Sequence, residues 1–351
     1  MVEIRLEQLA HAYRRGGAYA LRPLDMTWRS GGTYALLGPS GCGKSTMLNI
    51  ISGLIQPSEG RVLFDGRDVT ALETGRRKIA QVFQVPVIYR SMTVGQNLGF
   101  PLVCQRLPAQ TRRKRVEQIA ERLGLGPMLH RPAHSLTADQ KQLVSLGRGL
   151  VRDDVAAILL DEPLTVIDPQ QKFDLRRILK EINAEFGVTM VLVTHDQTEA
   201  MTFAEEVVVM NMGEVVQSGS PRALFERPAT RHVGSFIGAP AMNFLPADPM
   251  GPQVAVAGTG LAMPRPDATE GRFCLGFRPE HARLVREGAT MSGIVTRIWF
   301  EGLDEILALD HPSGEVRLRA PAGIGLKPGD QAGFVLEDGA LRLYRDDRLI
   351  A

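Results

Sequence analysis

Tyr34-Ala35-Leu36-Leu37-Gly38-Pro39-Ser40-Gly41-Cys42-Gly43-Lys44-Ser45-Thr46 decides the fold. Residues 34–37 read as a buried strand, and a helical run follows to Ile51. Between them lies the spacing G-x-x-x-x-G-K-[ST], a loop whose backbone N–H groups curve around phosphate oxygens ahead of a helix N-terminus. The pattern assigns Lys44 to the β and γ phosphates of a nucleoside triphosphate and the Ser45 hydroxyl to Mg²⁺. A glycine turn that happens to precede Lys-Ser lacks the strand before and the helix after. Cys42 fills space within the loop, where a bound nucleotide shields it.

Working outward, Ala156-Ala157-Ile158-Leu159-Leu160-Asp161-Glu162-Pro163 is a second apolar strand, ending in adjacent carboxylates. Such a strand delivers Asp161 beside the phosphate loop, where it supports the Mg²⁺ shell, and aims Glu162 at the γ phosphate as a general base or water-orienting group. A solvated strand end is the plain alternative for an isolated pair. Apolar runs at 155–160 and 188–193 flank a helical stretch at 168–186. Strand, helix, strand predicts a parallel sheet covered by helices, an α/β P-loop fold. Residues 112–125 space Val116, Ile119, Ala120 and Leu123 for an amphipathic helix.

The chain has 351 residues, 41 Lys plus Arg against 39 Asp plus Glu, and 44% hydrophobic residues. That balance argues against a nucleic-acid partner recognised through overall charge. No apolar run approaches the roughly 18 residues a membrane helix needs, and charged residues in the first eight positions argue against an export signal. Three scattered cysteines, Cys42, Cys104 and Cys274, suit a reducing compartment. After about residue 238, Pro240, Pro246, Pro249, Pro252, Pro264 and Pro266 interrupt any helix. A β-rich second domain is expected over 236–351. Its strand candidates at 273–277, 293–300, 305–309, 315–320 and 333–336 fit a small five-stranded barrel.

Taken together the motifs resemble an ATP-binding-cassette (ABC) ATPase. Gln84, after a strand at 79–83, matches that family's Q-loop, and Val193-Thr194-His195-Asp196 its histidine switch. The resemblance implies that Gln84 touches Mg²⁺ and the attacking water, that His195 contacts the γ phosphate, and that Tyr13 stacks on adenine. It also implies a nucleotide-binding domain over 1–235 with a helical subdomain at about 86–150. The plain readings are a core aromatic for Tyr13, a loop polar group for Gln84 and a strand-end histidine for His195. Three further stretches, at 92–98, 194–201 and 236–244, resemble the carbohydrate and polyol importers of the maltose and glycerol-phosphate type. Leu275-Gly276-Phe277-Arg278-Pro279-Glu280-His281 resembles the oligonucleotide-fold-like (OB-like, TOBE-type) regulatory domain of that subclass.

The resemblance implies a head-to-tail dimer in which each ATP lies between one subunit's phosphate loop and its partner's Leu-Ser-Gly-Gly-Gln signature. Here that stretch is Leu136-Thr137-Ala138-Asp139-Gln140. Ala138 and Asp139 put side chains where glycine N–H groups approach the phosphate. A carboxylate at about 4 Å from a phosphate charge costs up to about 4 kcal/mol at an effective dielectric of 20. Asp139 turned to solvent, or capping the following helix, reduces that penalty. A homodimer would carry the altered signature at both sites, a heterodimer at one, so a second, related ATPase subunit is the expected partner. The next loop, Leu164-Thr165-Val166-Ile167-Asp168, keeps Asp168 where the family has Leu-Ser-Ala/Asn-Leu-Asp. The implied assembly adds two membrane permeases and, indirectly, a periplasmic solute-binding protein, with this chain peripheral at the cytoplasmic face. Its solute is a carbohydrate or polyol, glycerol being favoured. The rival readings are a soluble cassette ATPase outside transport and an ATP-binding scaffold with little turnover.

Overall fold

A computed structural model describes residues 2–266 and 270–351. They form two compact units, Met1–Pro221 and Arg222–Ala351. In the first, a six-stranded sheet runs in the order Glu214–Gly219, Glu206–Asn211, Thr33–Leu37, Thr189–Thr194, Ala157–Asp161 and Ile79–Val82. All neighbours pair in parallel except the edge strand Glu214–Gly219, which is antiparallel. Thr33–Leu37 and Thr189–Thr194 are buried at every residue. Strands covered on both faces lose the apolar-polar alternation, which is why these segments read as continuous runs.

A smaller antiparallel sheet, ordered Leu21–Trp28, Ile4–His11, Glu59–Phe64 and Arg67–Asp68, belongs to the same unit. Its inner residues Ile4, Leu6, Trp28 and Val62 join Tyr34, Leu36, Met47 and Ile50 in one core. The helices Val94–Cys104, Ala109–Arg122 and Ala138–Leu150 occupy the stretch expected to be helical. Gly147 lets them close, since a Cβ there would lie 2.5 Å from Leu98 and 3.1 Å from Leu123. The helix expected over 112–125 starts earlier, at Ala109, immediately after Pro108, and buries Val116, Ile119 and Ala120. Among the described residues no helix is long and apolar enough to cross a membrane.

The second unit contains a six-stranded and a five-stranded antiparallel sheet around Leu245, Phe273, Leu275, Phe277, Leu307, Leu318, Phe334 and Leu343. The five-strand expectation undercounts it. Asn243–Met250 is a strand despite Pro246 and Pro249, with Pro246 opposite Cys274 in the ladder. Proline removes one donor, and a strand tolerates that where the missing N–H would not face its partner. The unit also begins earlier than residue 236, because Arg278 ties the preceding helices to it. This guanidinium is 3% exposed and donates to the carbonyls of Phe225 (3.2 and 3.0 Å), Gly234 (3.1 Å) and Ile237. Burial pushes it down to about 10. The Tyr344 hydroxyl adds a bond to Pro228 O at 3.0 Å.

Arg77, 2% exposed, plays the corresponding part in the first unit. It donates to Ile50 O (2.6 Å) and Ile51 O (2.9 Å) in the last turn of helix Lys44–Ser52, and to Thr70 O (2.6 Å) and Leu72 O (2.9 Å). A cation at a helix C-terminus satisfies carbonyls that lack intrahelical donors and opposes the helix dipole. Gly53 makes room, since a Cβ there would lie 2.7 Å from Arg77 Nε. Arg77→Leu strands these acceptors and is expected to destabilise the first unit by about 3 kcal/mol or more, read as a lower urea midpoint. An unchanged midpoint would contradict this role.

Candidate functional site

The loop after Thr33–Leu37 is shaped by contacts that exclude side chains. A Cβ on Gly38 would sit 2.2 Å from Met210 O and 2.8 Å from Cys42 Sγ. One on Gly43 would lie 2.5 Å from Ala20 O, and Gly43 and Gly41 have φ of +103° and +80°. Only glycine meets both demands without strain. Pro39, Ser40, Gly41 and Ser45 face solvent, while Lys44, at 5% exposure, is buried. Its ammonium donates to Gly38 O (2.7 Å) and Pro39 O (2.9 Å), so the loop wraps its own cation. Helix Lys44–Ser52 then starts with its free N–H groups toward the loop.

Parallel pairing brings the end of Ala157–Asp161 to this loop, and Ser45 Oγ donates to Asp161 Oδ1 at 2.9 Å. Desolvation pushes the Asp161 carboxyl above the usual carboxylate range; the Ser45 hydrogen bond opposes the shift, and the Glu162 charge adds to it. Next along, Glu162 has φ +45°, an uncommon left-handed conformation for a non-glycine residue. Its N–H bonds to Val193 O at 3.0 Å. On its carboxylate, Oε2 accepts from Gln84 Nε2 at 3.1 Å and lies 3.3 Å from His195 Nδ1. Thr165, named in the sequence only as part of the altered loop at 164–168, donates to Glu162 O at 3.1 Å.

His195 owes its place to an adjoining network. Asp196 caps helix Gln197–Phe203 through the N–H groups of Thr198 (2.7 Å) and Glu199 (3.3 Å). Buried Glu199 accepts from Thr194 Oγ1 (2.7 Å) and Lys172 Nζ (2.9 Å). Their sequence signal is a polar cluster at a strand end, legible only once the strand is placed.

Tyr13 is 64% exposed, so the core-aromatic reading fails, and its hydroxyl bonds Thr46 Oγ1 at 2.9 Å beside the loop. The structure thus brings together residues 38–46, Tyr13, Gln84, Asp161, Glu162 and His195. In the signature stretch Thr137, Ala138, Asp139 and Gln140, Thr137 bonds both Asp139 and Gln140. Thr137, not Asp139, is the N-cap of Ala138–Leu150, and its N–H donates to Gln140 Oε1 at 3.2 Å. Asp139 lies within the first turn and accepts the Thr137 hydroxyl proton. Asp168 caps Pro169–Phe186 by accepting from Gln170 N at 2.9 Å.

The model of the ABC transporter family matches residues 21–165. The sn-glycerol-3-phosphate import ATP-binding protein UgpC of Cereibacter sphaeroides is 41% identical over 98% of both chains. Its namesake from Paracoccus denitrificans is 37% identical over 100% of this chain and 94% of that protein. This chain belongs to the ABC transporter family.

Among solved structures of this family, cbiO1 of Clostridium perfringens, part of the ABC transporter complex cbiONQ, is similar with a TM-score of 0.58. It is 32% identical and covers 63% of this chain and 89% of that one. The dimeric cassette MJ0796, in a post-hydrolysis state bound to ADP and Pi, has a TM-score of 0.57 and 31% identity, covering 62% and 99%. The chain is accordingly an ABC ATPase with a β-rich C-terminal extension. ADP in that relative agrees with nucleotide binding by the family.

Its three thiols differ in reach. Cys42 and Cys274 are buried and Cys104 is exposed. Burial pushes the Cys42 thiol up, with Lys44 pulling the other way, and raises Cys274 to about 11. Alkylation at pH 8 is expected to show one fast thiol that Cys104→Ser removes, because only thiolate reacts. A fast phase surviving that substitution would contradict the burial of Cys42.

Proposed function

We propose that this ATPase drives a bacterial importer for sn-glycerol 3-phosphate or a related polyol, closing on ATP against a second, related ATPase subunit. The solute reading is supported by full-length similarity to the two import proteins named above. The wider assembly has two integral-membrane permeases and a periplasmic solute-binding protein, with this chain peripheral at the cytoplasmic face. The observation that carries the catalytic reading is the Gln84–Glu162–His195 constellation beside a glycine-lined loop and a buried lysine.

In this reading the loop amides of residues 38–46 and the Lys44 ammonium hold the β and γ phosphates, and Tyr13 stacks on adenine. Ser45 Oγ, Asp161 and Gln84 present hard oxygen donors, a set that fits Mg²⁺. When bound, that ion neutralises charge shared by the β and γ phosphates. Glu162 takes a proton from water as the water oxygen bonds to the γ phosphorus, and the bond from phosphorus to the bridging oxygen breaks. ADP and phosphate leave. Gln84 and His195 orient Glu162 and contact the attacking water and the γ phosphate respectively.

Thr137-Ala138-Asp139-Gln140 faces the partner's nucleotide, with Asp168 at the same seam. The Thr137 hydroxyl is committed to Asp139, which supports a weakened composite site on that side. A partner with the Gly-Gly signature opposite this chain's own loop restores the other, hence the heterodimer.

Glu162→Gln in the reconstituted transporter is expected to retain ATP binding while slowing hydrolysis by at least about a hundredfold. Turnover at the unsubstituted rate would refute the base assignment and favour a scaffold role. Asp139→Gly is expected to raise hydrolysis at the composite site it lines. If the purified chain dimerised on ATP by itself and hydrolysed it at a rate unaffected by this change, the heterodimer would be wrong.

A further inference from the structure

One face of helix Pro169–Phe186 carries a second feature that phosphate chemistry would explain. Phe173, Arg176, Arg177, Lys180 and Glu181 lie three or four residues apart, and with Thr202 of helix Gln197–Phe203 they line a shallow pocket. Arg176 is 7% exposed. Its Nε is buried without a hydrogen-bond partner, and among the described residues the side chain has no hydrogen bond, ion pair or ring contact. A buried guanidinium normally has a carboxylate, phosphate or several carbonyls around it, as Arg77 and Arg278 have here. The carboxylates nearby are already engaged. Glu199 is held by Lys172 and Thr194, and Glu181 by Arg177 at 2.7 Å.

We infer that Arg176, with Lys180 and Thr202 at the rim, forms an anion site for a phosphate or phosphomonoester dianion, separate from the ATP loop. Arg176 supplies a planar fork of donors matched to tetrahedral oxyanions. Lys180 adds a mobile ammonium, its Nζ lying 3.4 Å from Thr202 O. The exposed ring of Phe173, at 63%, gives an organic group beside the phosphate an apolar surface to rest on. Neutralisation of Glu181 by Arg177 leaves the pocket with a net positive charge.

The test uses full-length Lys44→Ala protein, so that anions at the ATP loop do not dominate. Inorganic phosphate and glycerol 3-phosphate are titrated against chloride at matched ionic strength, with binding read by calorimetry and thermal unfolding. Both phosphates are expected to raise the unfolding temperature above the chloride control. Tighter binding of glycerol 3-phosphate assigns the site to an organic phosphomonoester, and equal binding to the phosphate group alone. In that background Arg176→Met and Lys180→Met should each weaken binding by at least about tenfold. Without phosphate, Arg176→Met is expected to be as stable as its parent or more so, because the buried Nε donor it removes leaves no acceptor stranded. Phosphate stabilisation no greater than chloride's would overturn the site. So would equal stabilisation of the Arg176→Met protein, or loss of its stability in the absence of anion.

Discussion

The molecule's chemistry depends on a close approach of backbone to backbone. Gly38 lies against Met210 and Gly43 against Ala20, at distances that leave no space for a Cβ. Those two contacts bend the chain between a fully buried strand and a helix so that its N–H groups converge and Lys44 is enclosed. The parallel sheet then determines what meets the loop. Register between neighbouring strands carries Asp161, Glu162 and His195 to the same edge, where no turn or local motif could gather them.

How much of this was legible in the sequence followed from how local each signal is. The phosphate loop and the carboxylate pair sit at the ends of short buried runs, and period and punctuation suffice to find them, whereas His195 is reached only through the family resemblance of residues 193–196. The capping of Ala138–Leu150 by Thr137 instead of Asp139 was not legible, because Thr, Ala and Asp in succession all suit a helix start and only backbone geometry separates them. Pro246 and Pro249 read in the sequence only as interrupting helices, and the strand Asn243–Met250 around them is not anticipated there for a related reason. A proline argues against a central strand only when its N–H would face a partner, and pairing is not written locally. Arg77, Arg176 and Arg278 look alike in sequence, yet two are wrapped by carbonyls and one has no acceptor among the described residues.

The same geometry shows why the fold persists with a changed signature. Ala138 and Asp139 are acceptable in the first turn of a helix, where an acidic residue complements the dipole. Their effect falls on what the helix start presents outward, since the Thr137 hydroxyl is turned to Asp139. Stability and the proposed change at the composite site are therefore separable at this position.

Calorimetry of adenine-nucleotide binding with magnesium, comparing the chain with its Lys44→Ala form, tests the loop most directly. ATP should bind the unaltered chain, and the substitution should weaken it by at least about tenfold, because it removes the ammonium that meets the ligand's phosphates. Equal affinity in the two proteins, or no affinity in either, would contradict the account.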